Sequence, residues 1–229
     1  MKQAGKLPKQ LWVTSSDNFA SWGGGDESYH TADLNKLIKA VDYVSLHTYP
    51  FHDTHYNPSF WRVPEDEKQL PKAEKTEAAM LRAAEYAKKQ YRQTAGYIHK
   101  ISPEKPLHIG ETGWATTSNS HYGPEGSNAA DEYKQKLYYD HIRQWTNDSL
   151  ISCFYFEIFD EQWKDAENAQ GSENHFGLIN LKGEAKYALW EMVDNGVFEG
   201  LTRNGQIKKS FNGNLDSLMG TVGVPPVKE

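Results

Sequence analysis

The apolar run at residues 107–112, which leads into Gly113 and Trp114, constrains the fold more than any other segment of this chain. Pro106 opens the run, and its branched and apolar residues are typical of a buried strand. The run ends at a carboxylate, Glu111, and the glycine that follows permits a sharp turn. In parallel barrels the active site forms at the carboxyl ends of the strands, so Glu111 is predicted to lie at such a site. The alternative is a glutamate that ends an ordinary strand.

Strand-like segments alternate with helical ones along the chain. The predicted strands are residues 11–16, 42–49, 107–112 and 152–159, and the predicted helices are residues 31–41, 74–101, 129–146 and 184–194. This alternation indicates parallel strand-helix-strand units with right-handed crossovers. We therefore expect an α/β fold of the (β/α)8 TIM-barrel type, although four units cannot close an eight-stranded barrel.

The whole chain, residues 1–229, is predicted to be a single partial barrel domain. Residues 198–229 contain Gly, Asn and Pro and are predicted to form a loop-rich C-terminal tail. No internal repeat and no low-complexity segment interrupts this organisation.

Composition excludes several classes of function. The formal net charge is −6, and the charges are scattered, which argues against nucleic acid as a partner. No apolar run is long enough to span a membrane, and the first residues lack the apolar stretch of a secretory signal. Cys153 is the single cysteine, so an intramolecular disulfide is excluded.

Two patterns suggest a cofactor or a metal but do not meet the requirements for either. The run Gly23-Gly24-Gly25 lacks the lysine and the spacing of a phosphate-binding loop. His47, His52 and His55 have no common zinc spacing, and hydrogen bonding near a polar cleft is the preferred interpretation. We expect no cofactor and no metal.

A second polar cluster follows the fourth predicted strand. It contains Glu157, Glu161, Lys164 and Glu173, and aromatic residues lie between them. Because an isolated buried carboxylate is costly, such a cluster either forms a salt-bridge network or binds polar ligands such as sugar hydroxyls.

These segments together resemble glycoside hydrolase family 17, which comprises retaining β-1,3-glucanases and related glucanosyltransferases built on a (β/α)8 barrel. Residues 11–18, 44–51, 109–114 and 155–164 are similar to the family's fifth, sixth, seventh and eighth strands. The Glu-Thr-Gly-Trp motif is followed in order by Phe-Asp-Glu-Gln-Trp-Lys and Glu-Asn-His-Phe-Gly-Leu. This order makes the resemblance specific.

The resemblance implies a role for each matching residue. Glu111 is implied to be the catalytic nucleophile, and Tyr49 is implied to hydrogen-bond it. The resemblance also implies that Glu161, Lys164 and Glu173 bind substrate hydroxyls and tune the charge of the site, while Trp114 and Phe176 provide stacking or wall surfaces. For Lys164 and Glu173 a structural ion pair remains the alternative. The implied partner is a β-1,3-glucan polysaccharide or oligosaccharide.

The sequence departs from the family at one essential group. The family's acid/base is a glutamate preceded by asparagine at the end of the fourth strand, and this chain has no Asn-Glu dipeptide. We therefore expect the second half of a barrel, strands 5–8 with their helices, with an open core that favours self-association.

The expected function is retaining hydrolysis of a laminarin-like β-1,3-glucan. The alternatives are a non-catalytic glucan-binding fragment and a glucanosyltransferase in a longer parent. The resemblance implies that such a parent is secreted or periplasmic.

Overall fold

Four strands form a single sheet in the order β1-β2-β3-β4, as the alternation of strands and helices predicts. In the computed structural model, which describes residues 5–201 and 205–228, the strands are β1, Ser16–Asn18; β2, Val44–His47; β3, Leu107–Thr112; and β4, Cys153–Tyr155. The β1–β2 and β2–β3 pairs are parallel. The prediction of an α/β fold with a parallel sheet is therefore confirmed.

The strand bounds differ from the predicted ones everywhere except in β3. β2 and β4 are shorter than predicted, and β1 begins where the predicted first strand ends. Branched and apolar residues mark a buried segment, but only backbone pairing with a neighbour makes it a strand. Residues 11–15 form no regular ladder with a neighbour, although the Asp42 amide donates to the Val13 carbonyl at 2.8 Å, and they are largely exposed.

Six α-helices accompany the sheet in the described part of the chain. They are α1, Ala32–Ala40; α2, Pro50–Tyr56; α3, Lys72–Ile101; α4, Glu132–Asp148; α5, Trp190–Asp194; and α6, Leu215–Thr221. Short 3-10 turns lie at Glu27–Tyr29, Pro58–Phe60, Glu65–Glu67, Ser172–Asn174, Tyr187–Leu189 and Ser210–Gly213, and a π-helical turn lies at Ala20–Gly24. Within the described residues, no helix combines the length and the apolar character needed to cross a membrane.

Helix capping explains where two of the predicted helices begin. The Thr31 side chain accepts a hydrogen bond from the Leu34 amide and caps α1. Asp131 caps α4 in the same way, so α4 begins later than the pattern of apolar residues indicates. One helix, α6, lies within the segment predicted as a loop-rich tail. Residues 202–204 and 229 of that segment lie outside the described residues.

The described residues separate into two compact units. The first contains the chain up to Thr48 together with Ala87–Thr112 and Leu150–Phe154. The second contains Tyr49–Tyr86, Gly113–Ser149 and the chain from Tyr155 onward.

The first unit packs one end of α3 against the sheet. Its buried apolar side chains are Trp22, Leu34, Ile38, Val41, Val44, Leu46, Ala87, Ile98 and Ile109. The Trp22 indole donates a hydrogen bond to the Ser45 carbonyl at 2.9 Å, and Thr48 donates to Gln90 of α3 at 2.5 Å. These bonds satisfy polar groups that the apolar core would otherwise leave unpaired.

The second unit has a core that is rich in aromatic rings. Trp61, Trp114 and Tyr138 are fully buried, and the Trp114 ring centroid lies 5.6 Å from that of Trp61 and 5.1 Å from that of Tyr138. The Trp114 indole donates to the Ala129 carbonyl at 2.8 Å. Such rings bury a large apolar area while their N–H groups remain hydrogen-bonded.

Gly110 of β3 lies close to serine side chains of β1 and β2. A Cβ at this position would lie 2.1 Å from Ser45 Oγ and 3.0 Å from Ser16 Oγ, so a side chain does not fit without displacing these hydroxyls. The two hydroxyls are themselves hydrogen-bonded at 2.9 Å. The sheet therefore requires a glycine immediately before Glu111.

Replacement of this glycine gives a first testable prediction. Gly110→Ala should lower the free energy of unfolding by about 1–3 kcal/mol, because it overpacks the inner face of the sheet. Gly96→Ala is the matched control. Gly96 lies exposed in α3 with no atom within 4 Å of an added Cβ, and this variant should gain about 1 kcal/mol from helix propensity. Urea unfolding measures both, and equal stability of the two variants would contradict the close packing.

Candidate functional site

Glu111 is held at the end of β3 beside a histidine from the neighbouring strand. The parallel register pairs His47 with Glu111. His47 Nδ1 lies 3.5 Å from Glu111 Oε2, and His47 Nε2 lies 2.5 Å from Ser16 Oγ. The Glu111 side chain is 38% exposed. A carboxylate that is oriented by an imidazole and still reaches solvent is chemically suited to attack a bound substrate.

Aromatic rings of the second unit form a cluster around Phe176. The Phe176 ring centroid lies 5.6 Å from that of Tyr49, 5.8 Å from that of Phe156 and 5.8 Å from that of His52. Tyr49 and Phe156 also meet edge to face at 6.2 Å. Phe176 is buried and Tyr49 is half-buried. Two rings of the cluster, Phe156 and Phe176, therefore pack edge to face against the Tyr49 ring.

His52 links this aromatic cluster to Glu173. His52 Nδ1 lies 3.2 Å from the Tyr122 hydroxyl, and His52 Nε2 lies 3.8 Å from Glu173 Oε1. Burial lowers the pKa of His52 below 6.5, although the Glu173 and Asp53 carboxylates oppose this shift. Burial therefore favours the uncharged form of the His52 ring.

Lys164 lies between two carboxylates of the polar cluster. Its Nζ lies 2.6 Å from each carboxylate oxygen of Glu157 and 3.1 Å from Glu161 Oε2. The ammonium also lies 3.9 Å from the centre of the Phe156 ring, in a cation–π contact. Burial raises the pKa of Glu157, and the bonds from Lys164 oppose this shift.

The segment that carries these groups is fixed by backbone pairing with residues 172–178. The Glu157 amide donates to the Phe176 carbonyl at 3.3 Å, and the Glu161 amide donates to the Asn174 carbonyl at 3.2 Å. A Cβ on Gly113 would lie 2.0 Å from the Phe156 carbonyl oxygen. Gly113 is therefore required by a close backbone approach.

A buried ion pair holds the middle of the same segment. Lys186 Nζ donates to Asp160 Oδ1 at 2.7 Å, to Thr116 Oγ1 at 2.7 Å and to the His175 carbonyl at 3.2 Å. Lys186 and Asp160 are almost fully buried, and burial lowers the pKa of Lys186 while Asp160 opposes the shift. An ammonium with all three protons bonded can be buried at tolerable cost.

The predicted site residues fall into two groups. Glu111 belongs to the first unit. Tyr49, Trp114, Glu161, Lys164, Glu173 and Phe176 belong to the second unit. Trp114 is fully buried and Phe176 is 1% exposed, which favours a wall role over direct stacking for both.

Three further residues belong to these groups: His47, His52 and Glu157. The sequence predicts His47 and His52 near a polar cleft and Glu157 in the second polar cluster, but it assigns none of them a specific partner. The tertiary structure supplies those partners, which are Glu111, Glu173 and Lys164 in that order. Among the described residues, no group of three or more His, Cys, Asp or Glu side chains is arranged to hold a metal ion.

The contact between His52 and Glu173 gives a second prediction. Glu173→Gln should lower the pKa of His52 further, because the carboxylate that favours the charged ring is removed. A proton NMR titration of the histidine ring signals measures this change. His108 is the internal control: burial lowers its pKa without a contribution from Glu173, and it should not change. An unchanged His52 titration would contradict the contact.

This chain is similar to several known proteins, including an endo-laminarinase and a β-1,3-glucanosyltransferase of known structure. The crystal structure of an endo-laminarinase from Formosa Hel1_33_131 is 59% identical, with a TM-score of 0.95, and the match covers 100% of this chain and 58% of that one. A β-1,3-glucanosyltransferase from Rhizomucor miehei, in complex with laminaritriose, shares the fold at 21% identity and a TM-score of 0.53 over 82% of this chain and 53% of its own.

A glucan 1,3-beta-glucosidase from Arthroderma benhamiae is 33% identical over 87 residues, which are 34% of this chain and 26% of that protein. The chain thus spans about a quarter of this relative and little more than half of the laminarinase. The fold is similar to glycoside hydrolase barrels. The family model described as the BtgE/BtgC glycoside hydrolase domain matches residues 6–177, and the chain therefore belongs to this family of glycoside hydrolase domains.

Proposed function

We propose that this domain hydrolyses β-1,3-glucan with retention of configuration, as in glycoside hydrolase family 17, with Glu111 as the nucleophile. The observation that carries the proposal is the accessible Glu111 carboxylate at the carboxyl end of β3, beside His47. The 59% identity to an endo-laminarinase, over the whole of this chain, supports laminarin-like glucan as the substrate.

The proposed reaction has two steps. A Glu111 oxygen bonds to the anomeric carbon as the glycosidic C–O bond breaks, and the leaving oxygen takes a proton from an acid. Water then attacks the glycosyl-enzyme, releases the sugar and returns the Glu111 carboxylate, while the conjugate base of the acid accepts the water proton. His47 fixes the carboxylate orientation throughout, because its other ring nitrogen is held by Ser16.

The second unit contributes the proposed substrate-binding residues. Tyr49, Glu161 and Glu173 provide polar groups for sugar hydroxyls, and Lys164 holds the Glu161 carboxylate in place. Trp114 and Phe176 form the wall behind them. Glu161 and Glu173 are the more accessible of the carboxylates, with side chains 35% and 51% exposed. Such a mixture of rings and acceptors is typical of carbohydrate sites.

The proposal includes an acid/base supplied from outside this chain, by strands that would complete a barrel. An open face of the sheet in the first unit supports the proposal that further strands complete the barrel. Trp12 and Phe154 are 66% and 68% exposed, and with Tyr43 and His108 they line an open groove of about 350 Å³. Exposed apolar rings on the face of a sheet indicate a surface that another element covers.

An activated substrate tests the nucleophile without needing the acid, and this gives the third prediction. Dinitrophenol leaves without protonation, so a dinitrophenyl β-laminaribioside should release it in about one equivalent, with slow turnover. Mass spectrometry should find a laminaribiosyl unit on Glu111. Glu111→Gln should show neither release nor label, and Glu104→Gln, at an exposed site, should behave as the unaltered chain does.

Two results would contradict the proposal. A label on another residue would remove Glu111 as the nucleophile, and so would release of dinitrophenol by Glu111→Gln. Binding of laminari-oligosaccharides without any label would favour the alternative of a non-catalytic glucan-binding fragment. Longer products formed from a laminari-oligosaccharide acceptor would favour a glucanosyltransferase.

A further inference from the structure

Trp163 is the most exposed indole among the described residues that border the polar cluster. Its side chain is 73% exposed, whereas Trp22, Trp61 and Trp114 are buried. The Lys164 ammonium lies 5.7 Å from the centre of the Trp163 ring. The ring and the charged cluster therefore belong to one continuous patch of the second unit.

We propose that Trp163 is a stacking platform for a glucosyl ring and that the adjacent Glu161 carboxylate accepts hydrogen bonds from that ring's hydroxyls. This inference rests on the proposed function for its ligand class, a neutral β-linked glucose oligosaccharide. It adds a binding position that the predicted site residues did not contain.

Lys164 already donates to carboxylates of the cluster, and this determines whether the lysine or a carboxylate binds the ligand. Its Nζ lies 2.6 Å from each of the two Glu157 oxygens and 3.1 Å from one Glu161 oxygen, and the ammonium also lies over the Phe156 ring. The Lys164 side chain is only 15% exposed. Lys164 therefore does not donate to a sugar; it holds a carboxylate in place.

Glu161 is the carboxylate that retains capacity for a ligand. Its side chain is 35% exposed, and one of its oxygens is oriented by Lys164. Its amide is fixed by the Asn174 carbonyl at 3.2 Å. An ionised carboxylate accepts up to about four hydrogen bonds, so lone pairs remain for hydroxyl donors.

The chemistry of the patch selects the ligand. A β-linked glucose ring has equatorial hydroxyls, which leave an apolar C–H face to lie on an indole, and these hydroxyls project from the ring edge toward an acceptor. Glu157 and Glu161 against one lysine leave the cluster with a net negative charge. This charge disfavours uronic acids and favours a neutral sugar.

Titration with laminaritriose tests the platform and gives the fourth prediction. By calorimetry, Trp163→Ala should weaken binding about tenfold, and Trp163→Phe should retain most of the affinity because the ring is preserved. Trp12→Ala is the matched control, since it removes an indole of similar exposure, 66%, from the first unit, and its affinity should not change. Circular dichroism checks that each variant is folded, which is expected because both indoles lie on the surface.

A second readout reports on the ring directly. Laminaritriose should protect tryptophan fluorescence from iodide quenching in the unaltered chain and in Trp12→Ala, and this protection should be lost in Trp163→Ala. Unchanged affinity in Trp163→Ala would overturn the platform, as would the absence of any laminaritriose binding. If Trp163-dependent binding persists while Glu111 takes no label, the proposed mechanism fails and the platform stands.

Discussion

The parallel pairing of β2 with β3 is the interaction on which the environment of Glu111 in the first unit depends. It sets His47 opposite Glu111, and Ser16 of β1 then holds the far side of the imidazole. The three strands approach so closely at Gly110 that any side chain there would strike the serine hydroxyls. The orientation of the Glu111 carboxylate thus depends on the register of the strands and on the absence of a side chain at Gly110.

The second unit holds several charged side chains close to aromatic rings. The Lys186–Asp160 pair is buried, and Asp160 belongs to the same segment as Glu157, Glu161 and Lys164. The cluster of Glu157, Glu161 and Lys164 is less buried and places one ammonium between two carboxylates. The buried Lys186–Asp160 pair fixes the backbone of the segment, and the Glu161 carboxylate of the cluster remains accessible to a polar ligand.

Much of this arrangement was readable from local sequence. The alternation of strands and helices predicted a parallel α/β fold, and β3 was predicted with its observed bounds, because Pro106 and the polar end of the run delimit it. The motifs around Glu111 and Glu161 indicated a glycoside hydrolase, which membership of the BtgE/BtgC domain family confirms. Helix α6 and the short extent of β1 were missed, because both depend on packing partners far away in the chain.

The sequence by itself determined which chemical groups are present and in what order: a carboxylate ending a strand, a glycine on each side of it and a later cluster of acids around a lysine. The tertiary structure alone decided their environments. It buried Trp114 and exposed Trp163, although both are indoles close to polar motifs, and it brought His47 to Glu111 and His52 to Glu173. The physical reason is that exposure and hydrogen-bond partners arise from segments distant in the chain, and local sequence does not encode those contacts.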